Sequence, residues 1–380
     1  MTVEPFRIEV SDASLDELRT RLLRTRFTDR SSDEPWRAGT DPAYLHDLVA
    51  YWAEQFDWRS REAELNSYAH YRATIDGSRL HFVHVRAENE TGLPPLILSH
   101  GWPSAFTEML PLADRLANPE RYGAAADDAR DVVVPSLPGF LFSDLIEGPL
   151  TRKRLAQVLH RLMTEVLGHE QYGAFGGDIG GAATAWIGAL YRDQVVGIHM
   201  IHPPFPASLD DAPLSDAEQA FLEAEEAYDQ TDGGYSSIMV TRPDTVAAAL
   251  VDSPAGLAAW IIDKYRDWSD CHGDLESRFT RDTLLTVATL YWVTASIGSS
   301  FRQYFDHHHN EPRPLITVPA GFTLSAEPVM ANLPRSIPER ACADIRHWSE
   351  PGRGGHFMPA EEPDLLAGEL RHFFDSLVRA

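Results

Sequence analysis

Residues 174–183 read AFGGDIGGAA and place one acid, Asp178, between two pairs of glycines. An apolar segment precedes the stretch and an alanine-rich one follows it. The spacing Gly176-x-Asp178-x-Gly180 is that of a nucleophile elbow. A sharp strand–turn–helix junction forces its central residue into strained φ/ψ, and neighbours two positions away must be small or they collide. Serine is the commonest centre and attacks acyl carbons. A carboxylate is a poorer acyl nucleophile, but it can displace a leaving group at a saturated carbon and become an alkyl ester. That chemistry suits strained C–O bonds and C–halogen bonds. The competing reading is a glycine-rich turn, or a phosphate cradle at a helix N-terminus. An aspartate facing a phosphate would repel it, and the Lys and Ser/Thr of a P-loop are missing from the stretch.

Two further junctions complete a constellation. The apolar run PPLILS ends in His100-Gly101-Trp102-Pro103, a turn able to expose backbone N–H groups. The N–H groups of Trp102 and Ile179 together would form an oxyanion hole. Near the C-terminus, Gly354-Gly355-His356-Phe357 precedes a helical stretch with Leu365, Leu366, Leu370 and Phe373 on one side. His356 is the candidate general base, and the chain order nucleophile, acid, histidine is that of the α/β-hydrolases. His307-His308-His309 reads as a solvated connection, since three adjacent histidines rarely face one metal.

The elements that must position these residues are legible around them. Strand candidates PPLILS, DVVVPS, QYGAFGG, VVGIHM, PLITVPAGF and the segment leading into IRHWSE alternate with helical stretches such as 152–168 and 182–191. Alternation of this kind implies a mostly parallel sheet covered on both faces. A hairpin is expected at YRATIDGSRLHFVHVRA, turning on Asp76-Gly77. The first helix is expected to start in a capping box at Ser14-Leu15-Asp16-Glu17, with Leu15, Leu18 and Leu22 on one face. A second is expected after Asp41, with Pro42 in its first turn and Tyr44, Leu45, Leu48, Val49 and Trp52 inward. The domains are read as 1–66, a helical extension; 67–204 and 311–380, the two parts of an α/β core; and 205–310, a helical lid.

With 380 residues, 43% of them hydrophobic, the chain can bury a large core. The net charge of −24 repels phosphate backbones, so nucleic acid is not expected as a partner. No apolar run reaches membrane-spanning length, and MTVEPFRIEV lacks the features of a signal peptide. Two cysteines, Cys271 and Cys342, argue against a disulfide framework and fit a cytoplasmic location.

Taken together, these motifs resemble the epoxide hydrolases of the microsomal type, an α/β-hydrolase fold with an N-terminal extension. PFRIEVSDASLDELRTRLLRTRF, HGWPSAFTEM, GGDIGG, DSPAGLAAWIIDKYRDWSD, SSFRQYF and GGHFMPAEEPDLLAGELRHFF carry the likeness over almost the whole chain. The resemblance implies that Asp178 is the nucleophile, His356 the base, and Trp102 and Ile179 the backbone donors. It also implies two lid tyrosines, Tyr235 and Tyr304, that hold the epoxide oxygen. The acid is a departure: the Phe-Pro pair that usually precedes it is absent from GFTLSAEPVMANLPRSIPER, where Glu327 is the best match and Glu339 and Asp344 are alternatives. A second departure is that no N-terminal membrane anchor is visible.

The expected reaction opens a small hydrophobic epoxide to a vicinal diol through an aspartyl ester, with no metal or organic cofactor. Trp260, Trp268, Tyr291 and Trp292 are candidate walls of an apolar chamber. A dehalogenase using the same elbow, and a non-catalytic ligand-binding homologue, are the alternatives. The resemblance implies a role in detoxification, hormone breakdown or secondary metabolism, among which the sequence does not select, and a homodimer is left open.

Overall fold

The computed structural model describes residues 2–209 and 211–378. Nine strands form one sheet: β1 (Val3–Phe6), β2 (His70–Ile75), β3 (Ser78–Val85), β4 (Leu96–Ser99), β5 (Val132–Pro135), β6 (Tyr172–Gly176), β7 (Val195–Met200), β8 (Ala320–Thr323) and β9 (Ile345–Ser349). Their order is β1-β2-β3-β5-β4-β6-β7-β8-β9. The first three strands run antiparallel, and β3 joins β5 antiparallel. From β5 onward the pairs are parallel. Every residue of β4, β5 and β6 is buried, as strands covered on both faces must be. The β2–β3 hairpin turns where expected, with Asp76 and Gly77 at φ 51° and 83°.

Six helices flank the strands up to β7: α1 (Asp12–Leu23), α2 (Pro42–Glu54), α3 (Trp58–Leu65), α4 (Phe106–Ala117), α5 (Arg152–Arg161) and α6 (Asp178–Leu190). Between β7 and β8 lie α7 (Asp216–Asp232), α8 (Gly234–Thr241), α9 (Pro243–Asp252), α10 (Pro254–Trp268), α11 (Arg281–Thr294), α12 (Ile297–Ser300) and α13 (Arg302–Phe305). Short α14 (Ser336–Glu339) and α15 (Met358–Glu361) precede the C-terminal α16 (Pro363–Val378). Among the described residues no single helix is long and apolar enough to cross a membrane. The two helix pairs that jointly reach that length and composition are bent by 119° and 103°.

The N-terminal segment differs from the expectation in two ways. It is not purely helical, because β1 adds an edge strand to the sheet. Its first helix begins at Asp12, capped by Ser11, whose side chain accepts from the Ser14 N–H at 3.2 Å. Ser14 therefore lies inside the first turn instead of ahead of it, its hydroxyl 2.8 Å from that of Ser11. The segment braces the helices between β7 and β8. Trp52 Nε1 donates to Thr289 Oγ1 at 3.0 Å, Tyr51 O–H to Asp282 at 2.8 Å, and Thr40 O–H to the Ala259 carbonyl at 2.7 Å.

Candidate active site

The parallel strands aim their carboxyl ends at one edge of the sheet, where α/β folds place their ligands. At the end of β6 the chain turns into α6 through Asp178, whose φ of 50° lies in the left-handed region that non-glycine residues avoid. The flanking glycines make this turn possible. A Cβ on Gly180 would sit 2.0 Å from the Ser99 carbonyl oxygen, and one on Gly176 would sit 2.4 Å from the backbone of Gly180. The strain presents the Asp178 carboxylate at the head of the helix. There Oδ1 accepts from the Trp102 N–H at 2.8 Å. Trp102 follows the end of β4 and is fully buried. Ile179 is the second residue of α6, in the turn whose N–H groups have no acceptor within the helix.

Beyond β8, Glu327 is buried at 5% exposure. Its Oε2 lies 2.7 Å from His356 Nδ1. Its Oε1 lies 2.7 Å from Nε2 of a second imidazole, His202, just beyond the end of β7. His202 Nδ1 in turn accepts the Asp178 N–H at 2.8 Å. Burial acts against the Glu327 charge, but the two imidazoles outweigh it and hold the carboxyl well below the usual range. For His356 burial again favours the neutral form, and Glu327, with a smaller contribution from Asp178, overrides it to bring the imidazolium up to about 9. The alternative acids are elsewhere: Glu339 pairs with Arg335 and Asp344 with Arg346, both toward solvent.

The His356 loop is tied down on both sides. The His356 N–H donates to the Trp268 carbonyl at 2.8 Å. Glu361 on α15 accepts from the N–H groups of Gly355 at 3.1 Å, Phe357 at 3.0 Å and Asp270 at 2.8 Å. One carboxylate thus fixes both neighbours of the imidazole and clamps them to the turn after α10.

The helices between β7 and β8 bring two phenols over the elbow. Tyr235 on α8 stacks on Trp102 with centroids 5.4 Å apart and planes 4° apart. Tyr304 on α13 meets Trp102 edge-on at 6.0 Å and Tyr235 at 6.1 Å. Burial, and then the Asp178 charge, push both phenols above their ordinary pKa, so they stay protonated donors. Lys264 Nζ lies 5.0 Å from the Tyr235 centroid and pairs with Asp232 and Asp263.

Asp178, Ile179, Tyr235, Tyr304, Glu327 and His356 all line one cavity of about 790 Å3. Of the four aromatic residues expected as walls, Trp268 lines it. Tyr291 is instead fully buried and donates to the Ser104 carbonyl at 2.8 Å, and Trp260 packs on Trp102 and Phe301. His307 lines the cavity, while His308 and His309 lie outside its lining with ring centroids 4.0 Å apart and planes tilted 40°. Two donor clusters could be compared with metal sites among the described residues. In one, His202, Glu327 and His356, each carboxylate oxygen already faces an imidazole nitrogen. In the other, two of the three carboxylates, Asp232 and Asp263, are paired with Lys264.

Sequence reasoning missed His202, Glu361 and Glu108. The only local sign of His202 is a histidine between a strand end and Pro203-Pro204. Glu108, hydrogen-bonded to Ser104, is pushed up to about 7 by burial.

Residues 3–109 match the family model of the epoxide hydrolase N terminus. The chain is 38% identical over 99% of its length to a Stigmatella aurantiaca relative that carries a provisional epoxide hydrolase name, covering 85% of that protein. It is 31% identical over 99% of its length to epoxide hydrolase 1 of Sus scrofa, covering 89% of it. The structure of the Bombyx mori juvenile hormone epoxide hydrolase superposes with a TM-score of 0.88 at 27% identity, covering 100% of this chain and 95% of that one. An enantioselective mutant of the Aspergillus niger epoxide hydrolase gives 0.86 at 27% identity, over 99% and 97%. These likenesses do not favour the dehalogenase alternative. The chain belongs to the epoxide hydrolase family of the α/β-hydrolase fold and is an epoxide hydrolase.

Proposed function

We propose that the chain opens its epoxide in two steps through a covalent ester on Asp178. In the first, the carboxylate oxygen not held by Trp102 attacks a ring carbon. The carbon–oxygen bond of the ring breaks, and a phenol of the Tyr235–Tyr304 pair gives its proton to the departing alkoxide. In the second, His356 takes a proton from water, and the hydroxide adds to the ester carbonyl. The N–H groups of Trp102 and Ile179 receive the developing oxyanion. Collapse releases the vicinal diol and restores the Asp178 carboxylate. Glu327 keeps the His356 tautomer and stabilises its charged form. No metal or organic cofactor has a part in this scheme.

Electrostatics order the two steps. While Asp178 is ionised, its charge adds to that of Glu327 in holding a proton on His356. Esterification cancels the Asp178 charge, so the imidazole gives up that proton more readily when a base is needed. The proton replaces the one lent by the phenol.

The observation that carries this reading is the elbow: a strained carboxylate, bonded to the Trp102 N–H, shares one cavity with two protonated phenols and the Glu327–His356 pair. Leu222, Val240, Val329, Met330 and Trp268 give the cavity an apolar wall, which supports a small hydrophobic epoxide as substrate. Glu225, Glu226 and Asp229 at the same cavity would repel substrates bearing a carboxylate. The test is to mix enzyme with an epoxide such as styrene oxide, quench within one turnover and weigh the intact protein. A mass increase equal to the epoxide, absent in Asp178→Ala, is expected. Diol formation by Asp178→Ala at the wild-type rate would overturn the reading.

A further inference from the structure

Glu327 has two oxygens and the general base uses one of them. The other faces His202, which no step above requires. His202 Nδ1 accepts the Asp178 N–H at 2.8 Å, so that nitrogen carries no proton and Nε2 carries the N–H. Nε2 lies 2.7 Å from Glu327 Oε1, a close charge contact that is off the line of a hydrogen bond. The His202 ring is half-buried, 4.8 Å from that of His356 and tilted 35° to it. One side chain thus spans the backbone of the elbow and the acid beyond the neighbouring strand β8.

We propose that His202 is a positioning residue for the hydrolysis step: it holds the Glu327 carboxylate at both ends, so that Oε2 is presented to His356 Nδ1. The alternative role for such a residue is to satisfy the Asp178 N–H and so stabilise the elbow. The geometry separates the two roles by atom, since Nδ1 serves the elbow and Nε2 serves the acid. The inference rests on the two-step reading above.

Two substitutions divide the ring. His202→Asn keeps an acceptor near the Nδ1 position and loses the contact with Glu327. His202→Gln places an N–H donor near the Nε2 position and loses the acceptor. Single-turnover experiments with styrene oxide, followed by intact-protein mass, give the rates of ester formation and ester decay separately. Ester formation is expected within about threefold of wild type in both variants. Decay is expected to slow about tenfold in His202→Asn, as for a buried charged oxygen left without its facing group, and to stay within about threefold in His202→Gln.

Equal decay in the two variants, or a wild-type decay rate in His202→Asn, would overturn the proposal. So would slowing of both steps alike, the mark of a merely structural role. A measurement on unaltered protein guards against a variant that does not fold. Long-range 1H–15N spectra of the wild type must show His202 as the Nε2–H tautomer, and the Nδ1–H tautomer would contradict the assignment. A wild-type enzyme that never carries an ester would remove both readings, whereas a wild-type ester with unchanged decay in His202→Asn removes this one alone.

Discussion

Replacing Glu327 by Gln keeps the side chain's shape and removes the charge that sits 2.7 Å from both His202 and His356. His356 stands at about 9 against its ordinary 6.5 even though burial pushes the other way. That difference corresponds to about 3 kcal/mol in favour of the imidazolium, at 1.36 kcal/mol per pH unit. In the proposed scheme the imidazolium forms in the transition state of ester hydrolysis, when His356 takes the proton of water. Once Asp178 is esterified its share of that stabilisation is gone, so losing the Glu327 share slows the step by roughly 10- to 100-fold, since each 1.36 kcal/mol is tenfold. In the same scheme ester formation changes far less, because the Asp178 carboxylate is held by Trp102 and the ring oxygen would be held by phenols, none of which bonds Glu327. Rapid-quench mass spectrometry of Glu327→Gln should therefore find most of the enzyme alkylated in the steady state. A variant that turns over at the wild-type rate with no alkylated enzyme would refute the reasoning.

The other expectations follow from single contacts. Tyr235→Phe and Tyr304→Phe should each slow ester formation by about 100-fold while leaving ester decay unchanged, which stopped-flow and quench data resolve. Gly180→Ala forces a Cβ to within 2.0 Å of the Ser99 carbonyl oxygen; a melting temperature lowered by roughly 2–3 °C or more, as about 2 kcal/mol of strain would give in a chain of this length, is expected by calorimetry. Asp178→Asn removes a charge that raises His356, so NMR titration should find that imidazole deprotonating at lower pH than in wild type. Glu108 is raised to about 7, so the folded state binds more protons than the unfolded one between about pH 4.5 and 7, and stability falls as pH rises through that window. Glu108→Gln should accordingly raise the melting temperature at pH 8 and change it little at pH 4.

The parts of the site that strain the backbone were the parts legible in the sequence. Asp178 needs φ 50° and glycines at 176 and 180, so its chemistry left a local signature. His356 was marked by Gly354-Gly355 and by its place before the last helix. Tyr235 and Tyr304 strain nothing. They sit on α8 and α13, brought over Trp102 only by lid packing, and only the family resemblance singled them out. Glu327 was chosen in the same way from three acids, and what distinguishes it is burial between two imidazoles contributed by distant segments. His202 shares a strand end with His199, and nothing in the spacing separates them. In three dimensions His199 is fully buried against Thr323, while His202 reaches the cavity. Strand β1 was missed because VEPF has two hydrophobic residues around Glu4 and Pro5, a composition that only an edge strand tolerates. The first helix cap was misplaced because Ser11 and Ser14 stand three residues apart, and each could cap a helix.

The central claim is that the oxygen delivered to the diol comes first from the enzyme. A single turnover in water enriched in 18O, followed by digestion and mass spectrometry of the peptide containing Asp178, tests it most directly. The account predicts an unlabelled diol oxygen in that first turnover and one 18O in the Asp178 carboxylate. An 18O-labelled diol with an unlabelled Asp178 peptide would mean that water attacks the ring directly, and would contradict it.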